Sequence, residues 1–179
     1  VQPTPVTVCQ GDFAQFFVQA TGTGLSYQWR KNNTNIPGAT NTFYNIPTAQ
    51  PADAGVYTVV ITGACGTPVV SDNAALAVQT APVITTEPAD VTVCEGNNAT
   101  FTVAAGGSNL TYQWHFNGQD IAGANGATLV INSAATSNAG SYSVTVTGSC
   151  GNPVTSRVAT LTVNANPVIV SNVQDQVVC

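Results

Sequence analysis

The chain has 179 residues, of which only 6% are charged and 44% are hydrophobic, and its net charge is −5. Three cations (Arg30, Lys31, Arg157) form no basic stripe for phosphates and no polybasic patch for an anionic bilayer, which argues against nucleic-acid and membrane-surface partners. No apolar run approaches the roughly 20 residues of a membrane span.

Taken in chain order, the first apolar run ends at Cys9 before a Gln10-Gly11 turn. Ala14, Phe16, Val18 and Ala20 then alternate with other residues, as one face of a strand does, and Gly22 closes the run. Leu25-Ser-Tyr-Gln-Trp29 alternates again, and an Asn- and Gly-rich stretch anchored by Ile36 follows. Asp53-Ala-Gly-Val-Tyr57 leads into a β-branched strand through Val59 and Ile61. A Cys65-Gly-Thr-Pro turn and a last strand ending Ala-Leu-Ala-Val78 complete the set. Everything then recurs 85 positions on (94 − 9 = 85): Cys94, Ala99 to Ala105, Gly107, Leu110 to Trp114, Ile121, Asn138 to Tyr142, Val144, Val146, Cys150 and Thr-Leu-Thr-Val163. One more step reaches Cys179, the last residue. A fixed period of this size predicts tandem copies of one domain. The expected boundaries are residues 1–80 for the first copy with a truncated first strand, 81–165 for the second, and 166–179 for the first strand of a third. The chain then reads as an excerpt of a longer array.

The order G-x-x-A-x-F-x-V, Y-Q-W eleven residues past the Val, then D-A-G-x-Y resembles the immunoglobulin-like fold. The expected class is therefore all-β, with tandem immunoglobulin-like sandwiches in an extended array. The resemblance implies a core Trp (Trp29, Trp114) and a tyrosine corner (Tyr57, Tyr142). V-C-x-G, L-x-Y-Q-W and G-x-C-G-x-P are similar, more narrowly, to the repeats of large secreted surface proteins of Bacteroidota. That similarity implies export by a type 9 route, a cell-surface location and a role as adhesin stalk or extracellular filament. One departure stands out. The two strand positions that hold the inter-sheet disulfide of antibody domains are here Val18 with Val59 and Val103 with Val144. Each Trp is expected to pack on two valines.

Five Cys at regular spacing with one His lack the short-range pairs of a zinc site and predict disulfides in an oxidising, extracytoplasmic compartment. Cys9 precedes the first turn, while Cys65 lies six residues beyond Val59. At about 3.3 Å per residue, Cys65 is roughly 20 Å above the waist of the sandwich and Cys9 of order 10–15 Å below it. A disulfide needs Cα atoms about 4.4–6.8 Å apart. An inter-domain Cys9–Cys150 bond is therefore expected, with Cys65, Cys94 and Cys179 paired outside this segment. An intradomain Cys9–Cys65 bond remains open, since strand boundaries read from sequence err by about 2–4 residues.

Other candidates carry less. His115 is read as a solvent-exposed strand residue, with no nucleophile and acid beside it to make it a general base. Asp53 is read as a turn residue, with Asn138 in its place in the second copy. Glu87, Asp90 and Glu95 surround the first junction, but calcium wants six to eight oxygens, and a third copy would offer only Asn172 and Asp175. Phe13, Tyr44 and Phe116 (with Phe43) occur in one copy only and form a possible glycan- or protein-binding surface. Asn32, Asn98 and Asn109 match the N-glycosylation pattern, a chance match in so Asn- and Thr-rich a chain. No catalytic residue, cofactor or metal is expected. The partners expected are neighbouring repeats, other copies in a filament, or a surface glycan or protein; a spacer attached to an exported enzyme is the further alternative.

Overall fold

The computed structural model describes residues 1–169; the strand expected over 166–179, with Asn172, Asp175 and Cys179, lies largely outside the described residues. Contacts divide the chain into two compact units. The first holds Val1–Pro82 together with Gly106–Leu110 and Gly148–Asn152; the second holds the rest.

In the first unit the chain forms β1 (Val6–Cys9), β2 (Ala14–Phe17), β3 (Ser26–Lys31), β4 (Thr34–Asn35), β5 (Phe43–Ile46), β6 (Gly55–Thr62), β7 (Val69–Val70) and β8 (Ala74–Gln79). One sheet runs β1-β8-β6-β3-β4, with β7 added beside β6, and the other is the β2-β5 pair. β1 lies parallel to β8, which places Cys9 opposite Gln79. β6 runs antiparallel to β8, so its far end, which leads to Cys65, points to the opposite pole. The β3-β4 turn uses Asn32 and Asn33 at φ 48° and 65°, a left-handed pair that Asn tolerates better than most residues.

The second unit repeats the pattern with β9 (Val83–Thr86), β10 (Val91–Cys94), β11 (Ala99–Thr102), β12 (Ala104–Gly106), β13 (Thr111–Phe116), β14 (Gln119–Asp120), β15 (Thr128–Ile131), β16 (Gly140–Thr147), β17 (Val154–Thr155) and β18 (Ala159–Asn164). Its main sheet is β10-β18-β16-β13-β14, and β11 pairs with β15. The single run expected over Ala99–Ala105 changes partner after Val103: Val103 N–H donates to the Ala127 carbonyl, one step further along the β11-β15 register, and β12 then pairs with β9.

Each core is built around its Trp. Trp29 and Trp114 are fully buried, as are Val59 and Val144, and Val18 and Val103 nearly so. Burying an aromatic of this size removes about 150–250 Å² from water, roughly 4–6 kcal/mol at about 25 cal/mol per Å². No cystine is needed to fill the same space. The indole N–H of Trp29 donates to the Asn41 carbonyl and that of Trp114 to the Gly126 carbonyl, both at 2.9 Å, so neither ring carries an unpaired donor. Phe16 stacks on Tyr57 at 4.6 Å and Phe101 on Tyr142 at 4.8 Å.

The corner tyrosines are fixed in the same way. Tyr57 Oη donates to the Asp53 carbonyl and Tyr142 Oη to the Asn138 carbonyl, each at 2.8 Å. Asp53 also accepts from Gln50 N–H and Asn138 from Ala135 N–H, so the carboxylate and the amide do the same job in the turn. Burial, aided by Tyr44 and Asp53, raises the Tyr57 phenol to about 12. The native state then holds a proton that the unfolded state releases from pH 10 upward, and stability falls between pH 10 and about 12. Tyr57→Phe is expected to cost about 1–3 kcal/mol, by leaving the Asp53 carbonyl unpaired. It should also remove the highest-pH step from an ultraviolet tyrosinate titration, the measurement that checks both statements.

Candidate functional site

Cysteine is the residue whose placement most distinguishes this chain. β1 ends at Cys9, and the turn after it is tied to the end of β8: Gln10 N–H donates to the Gln79 carbonyl at 2.7 Å and Gly11 N–H to the Ala49 carbonyl at 2.8 Å. The segment Gln79-Thr-Ala-Pro82 leaves β8 and is clasped by two short loops of the second repeat that belong to the same compact unit. Ser108 N–H donates to the Thr80 carbonyl at 3.1 Å, and Thr80 N–H donates back to Ser108 Oγ at 3.0 Å. A Cβ on Gly107 would sit 2.9 Å from the Ala81 carbonyl oxygen, and one on Gly151 2.5 Å from the Ala81 Cβ. Glycine is required at both places by close approach and by positive φ, 136° at Gly107 and 74° at Gly151.

This packing brings Cys150 to Cys9. The two are bonded, with Cα atoms 5.7 Å apart and 141 positions between them in sequence. The Cys9–Cys65 alternative is not formed. About 23 Å of β6 lies between the ends of the sheet that carry the two thiols, at 3.3 Å per residue. Among the described residues Cys65 and Cys94 are exposed and unbonded, and Cys179 lies outside them.

His115 departs from the expected open position. It is partly buried, its Nδ1 is 2.8 Å from Asp120 Oδ1, and its Nε2 is 2.9 Å from Thr145 Oγ1. An acid, an imidazole and a hydroxyl therefore do meet in order, across the β13-β14 hairpin and onto β16. The first repeat holds Arg30, Asn35 and Val60 at the same places and keeps a 2.7 Å Arg30 Nε to Asn35 Oδ1 bond with no hydroxyl. The Thr145 hydroxyl is itself shared with Thr155 at 3.1 Å. These are cross-strand polar pairs on a sheet face.

The acids at the junction are spoken for. Glu87 accepts from Arg157 N–H and Asp90 from Thr160 N–H, both at 2.9 Å, and Asp90 faces the Arg157 guanidinium at 3.5 Å. Among the described residues no three His, Cys, Asp or Glu converge on a metal position. Of the single-copy aromatics, Tyr44 lies 5.8 Å from Tyr57 and Phe116 5.0 Å from Tyr142, ring centre to ring centre, at the margins of the cores. Phe13 is exposed, and beside it Phe17 faces Phe43 across β2 and β5. Phe17 was not singled out by sequence, because it follows the buried Phe16 and its partner is set by register.

The two-sheet topology, the parallel β1-β8 pair, the buried Trp and the tyrosine corner decide the architecture. The fold is immunoglobulin-like. Residues 81–147 match the family model for the immunoglobulin domain. The chain is 33% identical over 132 residues to muscle M-line assembly protein unc-89 of Caenorhabditis elegans, covering 65% of this chain and 2% of that protein. It is 37% identical over 113 residues to endoglucanase C of Cellulomonas fimi, covering 60% of this chain and 10% of that one. The chain thus spans a small fraction of either relative. Among solved structures it resembles the I67–I69 I-band fragment of titin, with TM-score 0.71 and 20% identity over 92% of this chain and 64% of that one. Sidekick-1 immunoglobulin domains 1–5 give TM-score 0.69 and 22% identity, covering 92% of this chain and 37% of that one.

Losing the cystine is expected to lower the unfolding free energy of the first unit by about 2–4 kcal/mol. Urea denaturation of the Cys150→Ser variant measures this, with Cys65→Ser, at an exposed unbonded thiol, expected within about 0.5 kcal/mol of the parent.

Proposed function

We propose that this chain is a non-catalytic, load-bearing segment of a long extracellular protein, an adhesin stalk or filament in which disulfides lock each repeat to the next. The Cys9–Cys150 bond carries this reading, because it ties the first strand of one copy to the hairpin tip of the following copy. Persistent cystines belong to oxidising compartments, which supports a cell-surface or secreted location. None of the described residues forms a helix long and apolar enough to cross a membrane. Similarity to part of a muscle assembly protein supports a mechanical role, and surface attachment is the expectation raised by the motif resemblance alone. Similarity to part of an endoglucanase favours a second reading, a spacer in an exported enzyme, with the same mechanics.

The mechanical consequence is specific. Tension applied to the two ends passes through the cystine and bypasses every residue between Cys9 and Cys150. In force spectroscopy the oxidised chain is expected to yield only the length outside the bridge. Adding a thiol reductant should release the 141-residue loop, about 500 Å at ~3.6 Å per residue. Full extension without reductant would show that the bridge does not carry load and would remove the basis of this reading.

A further inference from the structure

Three phenylalanines of the first unit stand in solvent on the β2-β5 pair. Phe13 is 54% exposed, Phe17 48% and Phe43 42%. Phe13, Gln15 and Phe17 alternate with the buried Ala14, Phe16 and Val18, so all three belong to the face turned away from the core. Register sets Phe17 opposite Phe43 and Gln15 opposite Asn45. Along β2 the face therefore reads ring, amide pair, ring pair, with about 13 Å between the backbones of Phe13 and Phe17 at ~3.3 Å per residue. The fold asks for none of these rings. In the second repeat the counterparts are Asn98, Thr102 and Thr128, which are also exposed, and the same strand pair forms.

The amides between the rings are held in place by each other. Gln15 Nε2 donates to Asn45 Oδ1 at 2.8 Å. The Gln15 carbonyl oxygen and the Asn45 NH2 take no other partner among the described residues, which leaves an acceptor and a donor within one rung. Sugar hydroxyls suit such a pair, because each hydroxyl both donates and accepts. The C–H face of a sugar ring is weakly positive and rests on the negative face of an aromatic ring. These five side chains carry no charge, and the neighbouring Asp12 disfavours an anionic ligand. Area separates a glycan from a protein partner or a second copy. The three rings show about one and a half rings' worth of surface, roughly 300 Å² at ~200 Å² for an aromatic of this size. A stable protein–protein interface takes about 800 Å² from each side.

We propose that the outer face of β2 and β5 binds a neutral glycan chain of equatorially linked sugars, laid along β2. Phe17 and Phe43 stack against the flat face of one sugar, and Gln15 and Asn45 hydrogen-bond the hydroxyls at its rim. Phe13 supports a sugar further along the chain. An oligosaccharide is required, since one sugar ring cannot reach both Phe13 and Phe17. This binding goes beyond the load-bearing role and does not depend on it.

The test is isothermal titration of the full chain with cellohexaose and mannohexaose, beside their disaccharides, polygalacturonate and decaproline. The expected result is binding of at least one hexasaccharide, with shifts of the Gln15 and Asn45 side-chain amide signals in nitrogen–proton NMR spectra. Phe17→Thr and Phe43→Thr install the residues that the second repeat carries at the same places. Each should weaken binding about tenfold or more, while circular dichroism stays that of the parent. Phe13→Asn should weaken the hexasaccharide several-fold and leave the feebler disaccharide binding unchanged. Silence of both hexasaccharides at millimolar concentration, an affinity indifferent to Phe17→Thr, polygalacturonate bound as tightly as the neutral chains, or decaproline bound in their place would each overturn the proposal. Self-association that sedimentation shows to be lost in Phe43→Thr would overturn it too, by assigning the face to a second copy.

Discussion

A cystine that no single repeat can make is the constraint on which this structure turns. β1 is parallel to β8 and β6 is antiparallel to it, so the thiol at the end of β1 and the thiol beyond the end of β6 face opposite poles of one sheet. Within a repeat the sulfurs cannot meet. The only route to a bond is through the segment that leaves β8 beside Cys9, because the loops that clasp Gln79–Pro82 deliver Cys150 to the same place. Three glycines, Gly107, Gly148 and Gly151, are the cost of that approach in side-chain volume. Larger residues there would hold the loops off Ala81 and Pro82 and leave Cα atoms too far apart to be bridged.

The core can release its cysteines for this use because it does not need them. In each sandwich a buried Trp occupies the centre, two valines stand where antibody domains place a bridge, and the indole N–H is satisfied by a backbone carbonyl. An aromatic stack and a tyrosine hydrogen bond then fix the corner. Stability inside each sandwich comes from apolar burial, which is insensitive to redox state. Connection between successive copies comes from sulfur, which is not. Separating the two duties lets the sandwich hold its shape even where Cys65 and Cys94 are thiols.

Most of the architecture could be read from residues, because it is written in local alternation and in a period that needs no gaps. Phe16, Val18, Trp29, Tyr57 and Val59 fall on the inner faces by simple parity. What escaped was whatever depends on register across many residues. His115 meets Asp120 through a tight hairpin and Thr145 through a strand 30 positions away, and neither contact leaves a mark in the local pattern. Phe17 carries no pattern of its own beside Phe16, and only the register with β5 puts Phe43 opposite it. Val103 reads as the middle of one strand, yet the chain changes partner just after it, from β15 to β9. The clasp around Thr80 is likewise invisible in sequence, since Ser108, Gly107 and Gly151 are common loop residues. The repeat itself was the one signal that could have found it, because Gly22, Gly63 and Gly66 stand where Gly107, Gly148 and Gly151 do.

Extending the same rule along an array gives a load path unlike that of beads on a string. The bridge from Cys9 to Cys150 spans 141 positions, while the repeat is 85 long, so in an array built on this rule each bridge would begin before its predecessor had ended. A bridge starting at Cys94 would open inside the first loop, and one starting at Cys179 would open 29 positions after Cys150 (179 − 150 = 29). Along such a bridged path two repeats would contribute only those 29 residues of backbone, about 100 Å at ~3.6 Å per residue. An individual sandwich in such an array can unfold without lengthening the whole. Resistance to extension would then come from covalent bonds and their overlap, not from the few kcal/mol that keep any one small domain folded.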